Sequence, residues 1–214
     1  MSLKTDGKFY ELEELVRANC QDCIGCCECC TGMGDTIVLD PYDVWMMRRA
    51  TGQTTQELLG SGKISLTVVG GLILPHIKMN SKTDACPFLN VEGRCSIHAN
   101  RPGMCRLFPL GRNYEDRKMN YILLAEECKK KNRSKVKVSR WIGVEPAQQY
   151  HSYVLRWHDF RKELTKLFED AREDEVKSLT MYVLQTFYFS FDASEDAFFA
   201  VFSQKLDDVE RALQ

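Results

Sequence analysis

The chain contains the stretch Cys20-Gln21-Asp22-Cys23-Ile24-Gly25-Cys26-Cys27-Glu28-Cys29-Cys30, in which six of eleven residues are cysteine. Two different sets of four cysteines in this stretch have spacings typical of metal ligands. One set has the C-x2-C-x2-C-x3-C spacing of bacterial ferredoxins, without their following proline: Cys20, Cys23, Cys26 and Cys30. The other has the spacing C-x2-C-x2-C-C: Cys23, Cys26, Cys29 and Cys30. Because adjacent side chains usually diverge, we expect at most one cysteine of each adjacent pair to reach a given metal atom.

The cysteines indicate metal ligands more than structural disulfides. The ten cysteines among 214 residues are a smaller fraction than the roughly 8–10 % that is typical of a disulfide scaffold. Adjacent cysteines would also close almost no loop if they formed disulfides. Residues 1–14 show no apolar run typical of a signal peptide. We therefore expect a cytoplasmic protein. In that reducing compartment, clustered cysteines are metal or redox groups more often than disulfides.

Charge and hydropathy disfavour two classes of partner. Twenty-nine basic and thirty acidic residues leave a net charge of -1, so no global field attracts nucleic acid or anionic lipid. A basic tract at 129–140 is better explained as a solvated loop running into an edge strand. The longest uncharged runs, about 14 residues each, fall short of the roughly 18 that a membrane span needs.

Local patterns predict short elements in the first half of the chain. An amphipathic pattern over 1–19 predicts one helix, and 36–39 predicts a short strand. Asp40-Pro41 marks a helix start, with the helix running to about Ala50. A capping box at Thr54 starts another helix. Gly70-Gly71 between two apolar runs predicts a β-hairpin.

The second half is predicted to be mainly helical. Residues 121–124 indicate a strand, whereas from about Glu145 onward apolar residues recur at helical spacing, with Asp192 and Glu195 as a cap for the last helix. Between Cys86 and Gly111 little periodicity is seen, as expected where metal ligation replaces regular packing. We therefore predict an α+β fold. It comprises an irregular, cysteine-rich, metal-supported domain with short strands at 1–140 and a helical C-terminal region at 141–214 packed on it.

Four further motifs identify a family resemblance. They are Cys86-Pro87-Phe88-Leu89, Cys95-Ser96-Ile97-His98, the segment from Arg101 to Pro109 with the pattern R-P-x-x-C-R-x-F-P, and Ile37 to Val44. Together with C-x2-C-x2-C-C, these motifs resemble the YkgJ-like cysteine-cluster proteins over roughly residues 20–110. The resemblance implies a cysteine domain that chelates iron or zinc. Cys20 and Cys27 are additional to the family pattern.

The candidate metal ligands are Cys20, Cys23, Cys26, Cys29, Cys30, Cys86, Cys95, Cys105 and Cys128. This number suffices for two four-cysteine sites, or for one site with thiols in reserve. A [4Fe–4S] cluster with four thiolates is negatively charged and needs nearby cations. Arg101 and Arg106 are the candidates because they flank Cys105. Zinc competes, bound by four thiolates or by three with His98.

We predict from these residues a cysteine protein that holds a [4Fe–4S] centre for redox or structural use. One alternative is a zinc-stabilised module that binds another protein. The other is a protein-modifying enzyme with a structural cluster, suggested because flagellin lysine methylases carry a similar cysteine domain. Common phosphate-binding, zinc-protease and hydrolase motifs are missing from the sequence, so no catalytic residue is predicted. The physiological partner and the oligomeric state stay open.

Overall fold

A computed structural model describes residues 4–21, 26–130 and 132–213 of the chain. Predicted ligand Cys23 and basic residue Lys131 lie outside these described residues. The strands and helices are, in chain order, β1 Thr5–Tyr10, β2 Leu15–Asn19, α1 Pro41–Thr51, α2 Thr55–Gly60, β3 Ile64–Val69, β4 Leu72–Ile77, α3 Gly103–Leu107, β5 Leu110–Glu115, β6 Lys118–Leu124, β7 Ser134–Lys137, α4 Val138–Ile142, α5 Ala147–Asp170, α6 Glu173–Leu184 and α7 Phe198–Ala212. The predicted α+β class is confirmed.

The N-terminal residues form strands, so the prediction of one helix over 1–19 was wrong. β1 pairs antiparallel with β6, which also pairs with β5, in the order β1-β6-β5. β2 pairs antiparallel with β7, in the basic tract. Along β2, Val16 and Ala18 are buried while Leu15 and Arg17 are exposed. This alternation has the two-residue period of a strand, and pairing with distant strands overrides the weak helical pattern.

The helix starts predicted from local chemistry are confirmed. At α1, Asp40 and Asp43 form a reciprocal capping box with Pro41 at the first helical position. At α2, Thr54 and Glu57 form another. The two side chains of each box satisfy amide groups that the first helical turn leaves free.

The hairpin of β3 and β4 also forms as predicted, and both of its turn glycines have positive φ. The strand predicted over Thr36–Leu39 does not form. Val38 makes a single bridge to His76, flanked by hydrogen bonds from Leu39 N to Pro75 O at 2.8 Å and from Ile77 N to Ile37 O at 3.0 Å. Asp40 then begins α1, which ends the pairing.

The C-terminal helices pack on the N-terminal half through one shared hydrophobic core. Tyr188, buried between α6 and α7, donates its hydroxyl to the carbonyl oxygen of Leu39 at 3.0 Å. Trp45 on α1 donates its indole N–H to Ala193 O at 3.2 Å. These bonds fix the start of α1, and with it the segment leading from the cysteine stretch, against the helices.

The cap predicted for the last helix was wrong. A 3-10 turn, Glu195–Ala197, precedes α7, and Ala197 at the helix start makes no side-chain cap bond. Glu195 instead pairs with Arg49 of α1 at 2.7 Å. Among the described residues, no helix is long and apolar enough to cross a bilayer.

Candidate metal centre

The fold brings the N-terminal cysteine stretch and the later cysteine motifs to one cavity. This cavity, of about 60 Å³, is lined by six thiols: Cys26, Cys29, Cys30, Cys86, Cys95 and Cys105. All nine cysteines of the described residues are free thiols. The arrangement therefore offers thiol ligands and no disulfide.

Backbone pairing joins the two groups of cysteines. The amide of Cys86 donates to the carbonyl oxygen of Cys30 at 2.8 Å, and that of Gly32 donates to Asp84 O at 2.9 Å. Thr31 and Ala85 form an antiparallel bridge between these bonds. Cys30 and Cys86 are 56 positions apart in the chain, and this short ladder brings their segments together.

Cys86 and Cys95 lie on one small turn structure. Leu89 bridges to Cys95, and the Ser96 amide donates to Phe88 O at 2.7 Å. The Cys86 sulfur accepts hydrogen bonds from the amides of Phe88 and Leu89, and the Cys95 sulfur accepts one from Ile97. Amide donors aimed at sulfur stabilise the thiolate form that binds metal.

Four of the lining thiols lie close enough to influence one another electrostatically. Burial is the main cause that raises the pKa of Cys86, Cys95 and Cys105, and neighbouring thiolate charge raises each further. A hydrogen bond with Cys30 is the main cause that raises the pKa of Cys29. Without a cation these groups stay neutral thiols; a bound metal ion would supply the positive charge that lets them ionise together.

The family comparison agrees with this geometry. A family model named CxxCxxCC, described as "Putative zinc- or iron-chelating domain", matches residues 19–129, which is 111 of the 214 residues. The chain belongs to the CxxCxxCC family. The match covers all ten cysteines and so extends beyond the resemblance over 20–110 to include Cys128. No curated protein and no solved structure matched the chain.

Arg101 is the predicted cation that lies at the cavity of this CxxCxxCC domain. It lines the cavity, and its positive charge acts to lower the pKa of Cys29 and Cys95 against the larger effects that raise them. Its Nη1 lies 2.8 Å from the ring nitrogen Nδ1 of His98, which also lines the cavity. The domain therefore places a guanidinium and an imidazole beside the thiols.

Arg106, the other predicted cation, is buried and holds backbone groups. Its Nη2 donates to Ala99 O at 2.9 Å and to Arg101 O at 3.3 Å. Both carbonyl groups belong to the loop between Cys95 and Cys105. Arg106 thus supports the loop that carries Arg101.

The structure places Cys20 and Cys128 at a different cavity of about 230 Å³, which also reaches Cys26, Cys29 and Cys105. Met33 and Met104 line it as well. Cys27 is half-buried, and its carbonyl oxygen accepts from the Cys30 amide at 2.8 Å. Five thiols and two thioethers therefore border this second space.

The described thiols are not arranged as a complete ligand set. Over residues 4–21, 26–130 and 132–213, no group of three or more His, Cys, Asp or Glu side chains stands as a metal site. The residues nevertheless fit such a group chemically, because soft thiolate donors with amide support suit iron–sulfur clusters and zinc.

A buried polar network next to the cavity was missed by the sequence analysis. It comprises Asp40, Asp43, Gly103, Arg112 and Tyr150. Arg112 Nη2 donates to Tyr150 Oη at 3.1 Å, and the Gly103 amide donates to Asp43 Oδ1 at 2.6 Å. The sequence predicted the helix start at Asp40-Pro41 but did not single out Asp43, because a bond between residues 60 positions apart leaves no local signal.

Proposed function

We propose that this protein binds a [4Fe–4S] cluster through the thiolates of Cys29, Cys86, Cys95 and Cys105, for redox or structural use. The observation that supports this proposal most directly is the cavity of about 60 Å³ bordered by six thiols. A single water needs roughly 10–15 Å³ of such space. The cavity therefore has room for a polynuclear centre as well as for a single ion, and its six thiols exceed the four that one zinc ion takes.

The surroundings support a cluster in three ways. The amides of Phe88, Leu89 and Ile97 point at ligand sulfurs. Arg101 adds a positive charge at the cavity, which opposes the net negative charge of a thiolate-bound cluster. Buried Phe88 covers one wall and restricts solvent, a factor that tunes the potential of such centres. When bound, the cluster would supply one-electron transfer or a structural crosslink.

Cys26 and Cys30 lie at the same cavity and are the reserve ligands of this proposal. Cys20, Cys23 and Cys128 remain predicted ligands from their spacing, and Cys20 and Cys128 would serve a second site. We also propose the division into a metal domain at 1–140 and a helical region at 141–214. We also propose a cytoplasmic location, because clustered cysteines are metal or redox groups more often in reducing compartments.

Zinc is the second candidate, favoured by His98 at the cavity wall. Three thiolates and one imidazole form a common tetrahedral zinc site. Such a site would be structural, and the protein would then act through its surface as an interaction module. A zinc-bound protein would be colourless and contain zinc, whereas a protein with the cluster would be brown and contain iron and sulfide.

Purification without oxygen tests the proposal. Visible absorbance is recorded, and iron, acid-labile sulfide and zinc are measured per chain. We expect a brown protein containing iron and sulfide. A colourless protein with one zinc per chain and no sulfide would overturn the cluster and support the zinc module. Anaerobic reconstitution with iron and sulfide, with a spectrum before and after, distinguishes a lost cluster from one that never forms.

A further inference from the structure

Asp43 connects the first turn of α1 to the first residue of α3. Its Oδ2 accepts from the Asp40 amide at 3.1 Å, which completes the α1 capping box. Its Oδ1 accepts from the Gly103 amide at 2.6 Å. The side chain is buried, with 4 % of its residue surface exposed. One carboxyl group therefore bonds to two backbone amides, those of Asp40 and Gly103, which are 63 positions apart in sequence.

The Gly103 end of this link is tightly enclosed. A methyl group added at Gly103 would lie 2.6 Å from Tyr150 Oη, 3.2 Å from Arg112 Nη2 and 3.4 Å from Asp43 Oδ1. Tyr150 itself is held by Arg112. The start of α3 is thus confined by side chains from α1, β5 and α5, and Asp43 supplies the hydrogen bond to its amide.

Cys105 lies two residues beyond Gly103 on the same short helix. α3 has five residues, so a shift of its first residue moves the whole element. Among the causes that raise the pKa of the Cys105 thiol, Asp43 follows burial and Cys86, which places its carboxyl group near that thiol. Asp43 is therefore near Cys105 without lining the thiol cavity.

We propose that Asp43 is a positioning residue for the metal centre: by holding the Gly103 amide it sets where α3 presents Cys105 to the cavity. The proposal rests on the proposed function in treating Cys105 as a ligand. It assigns to the second carboxyl of the capping box a role that capping does not require. To cap α1, the Asp43 side chain needs only the hydrogen bond that it accepts from the Asp40 amide.

Two substitutions separate the two bonds of Asp43. Asp43→Ala removes both. Asp43→Asn keeps a carbonyl oxygen that can accept from Gly103. Thr54→Ala is the control for weakened capping, because it removes the hydroxyl that accepts from the Glu57 amide in the α2 box, which has no bond to α3. Should Asp43→Ala fail to fold, Asp43→Ser retains a small polar group that is too short to reach Gly103.

The first measurement is hydrogen–deuterium exchange over residues 103–107 in the metal-free, reduced protein. Loss of a buried hydrogen bond to a carboxyl group predicts exchange roughly tenfold or more faster in Asp43→Ala. Asp43→Asn should stay within about threefold of wild type, because its bond to Gly103 survives without the charge. Thr54→Ala should accelerate exchange in α2 and leave α3 unchanged.

The second measurement is the electron paramagnetic resonance spectrum and the midpoint potential of the reconstituted, reduced protein. Asp43→Ala should alter both and lower iron per chain, and Thr54→Ala should alter neither. If Asp43→Ala matches the control in α3 exchange and in the spectrum, the positioning role is wrong. If wild type binds no iron, the proposed function fails, but α3 exchange still decides whether Asp43 holds Gly103.

Discussion

Cys86 donates its backbone amide to the carbonyl oxygen of Cys30 at 2.8 Å. This bond lies within a short antiparallel pairing of residues 30–32 with 84–86. It places the end of the N-terminal cysteine stretch beside the first cysteine of the later motifs. Cys30, on one of the paired segments, and Cys86, on the other, both line the cavity of the candidate centre.

The first prediction distinguishes a thiol that lines the candidate centre from one that does not. Cys95→Ser should weaken iron binding by more than tenfold, since even outer-shell changes at metal sites cost about 10–100-fold in affinity. Cys27→Ser is the matched control, because Cys27 is outside the predicted ligand set and lines neither cavity. Iron and sulfide per chain after reconstitution give the readout. Equal iron contents in the two variants would remove Cys95 from the ligand set.

The second prediction concerns the pH dependence of metal binding, with zinc as the probe ion. Burial raises the pKa of Cys86 and Cys95 above the ordinary thiol value of 9.0, so both are protonated at neutral pH and must release protons on binding. Apparent zinc affinity should rise about tenfold per pH unit for each proton released, from about pH 6.5 to 8.5. Competition with a chelator measures it; a pH-independent affinity would contradict the ligation.

The third prediction tests the enclosure of Gly103. Gly103→Ala should destabilise the protein by about 1–3 kcal/mol through overpacking, because the added carbon would lie 2.6 Å from Tyr150 Oη. Tyr150→Phe removes that oxygen. Urea unfolding of both single variants and the double variant forms a cycle. We expect Gly103→Ala to cost less in the Tyr150→Phe background; an unchanged cost would mean the crowding lies elsewhere.

The fourth prediction is a pH effect on stability. Burial, followed by the negative charge of Asp40, raises the pKa of Asp43 from 3.8 to about 8. The folded state therefore keeps a proton that the unfolded chain releases. The stabilisation is complete below about pH 4 and is lost as the pH rises through about 8.

Asp43→Asn removes this titration. The free energy of unfolding of the metal-free protein should fall more steeply with pH in wild type than in Asp43→Asn. The difference for one proton is up to about 1.4 kcal/mol per pH unit. Urea denaturation at several pH values, with thiols kept reduced, measures both slopes. Parallel slopes would show that Asp43 is ionised in the folded protein at neutral pH.

The fifth prediction addresses the proposed division of the chain. A fragment of residues 1–140 should lack a cooperative unfolding transition, because Trp45 and Leu39 lose their bonds to Ala193 and Tyr188, and the shared core is opened. Thermal unfolding followed by circular dichroism is the measurement. A folded fragment that binds iron would instead show that the metal domain is independent of the helices.

The sequence by itself determined the features that depend on residues three or four positions apart. The N-cap at Asp40, the capping box at Thr54 and the glycine hairpin turn follow from such local chemistry. The cysteine spacing likewise indicated metal ligation, and the motif order indicated the family.

Only the tertiary structure decided which cysteines share a cavity and which residues position them. The bond between Cys30 and Cys86, the strands β1 and β2, and the link from Asp43 to Gly103 all join segments that are far apart in the chain. Closing such long loops depends on the whole core and on competing pairings. No local pattern contains that information, which is why the sequence did not reveal Asp43 as a partner of Gly103.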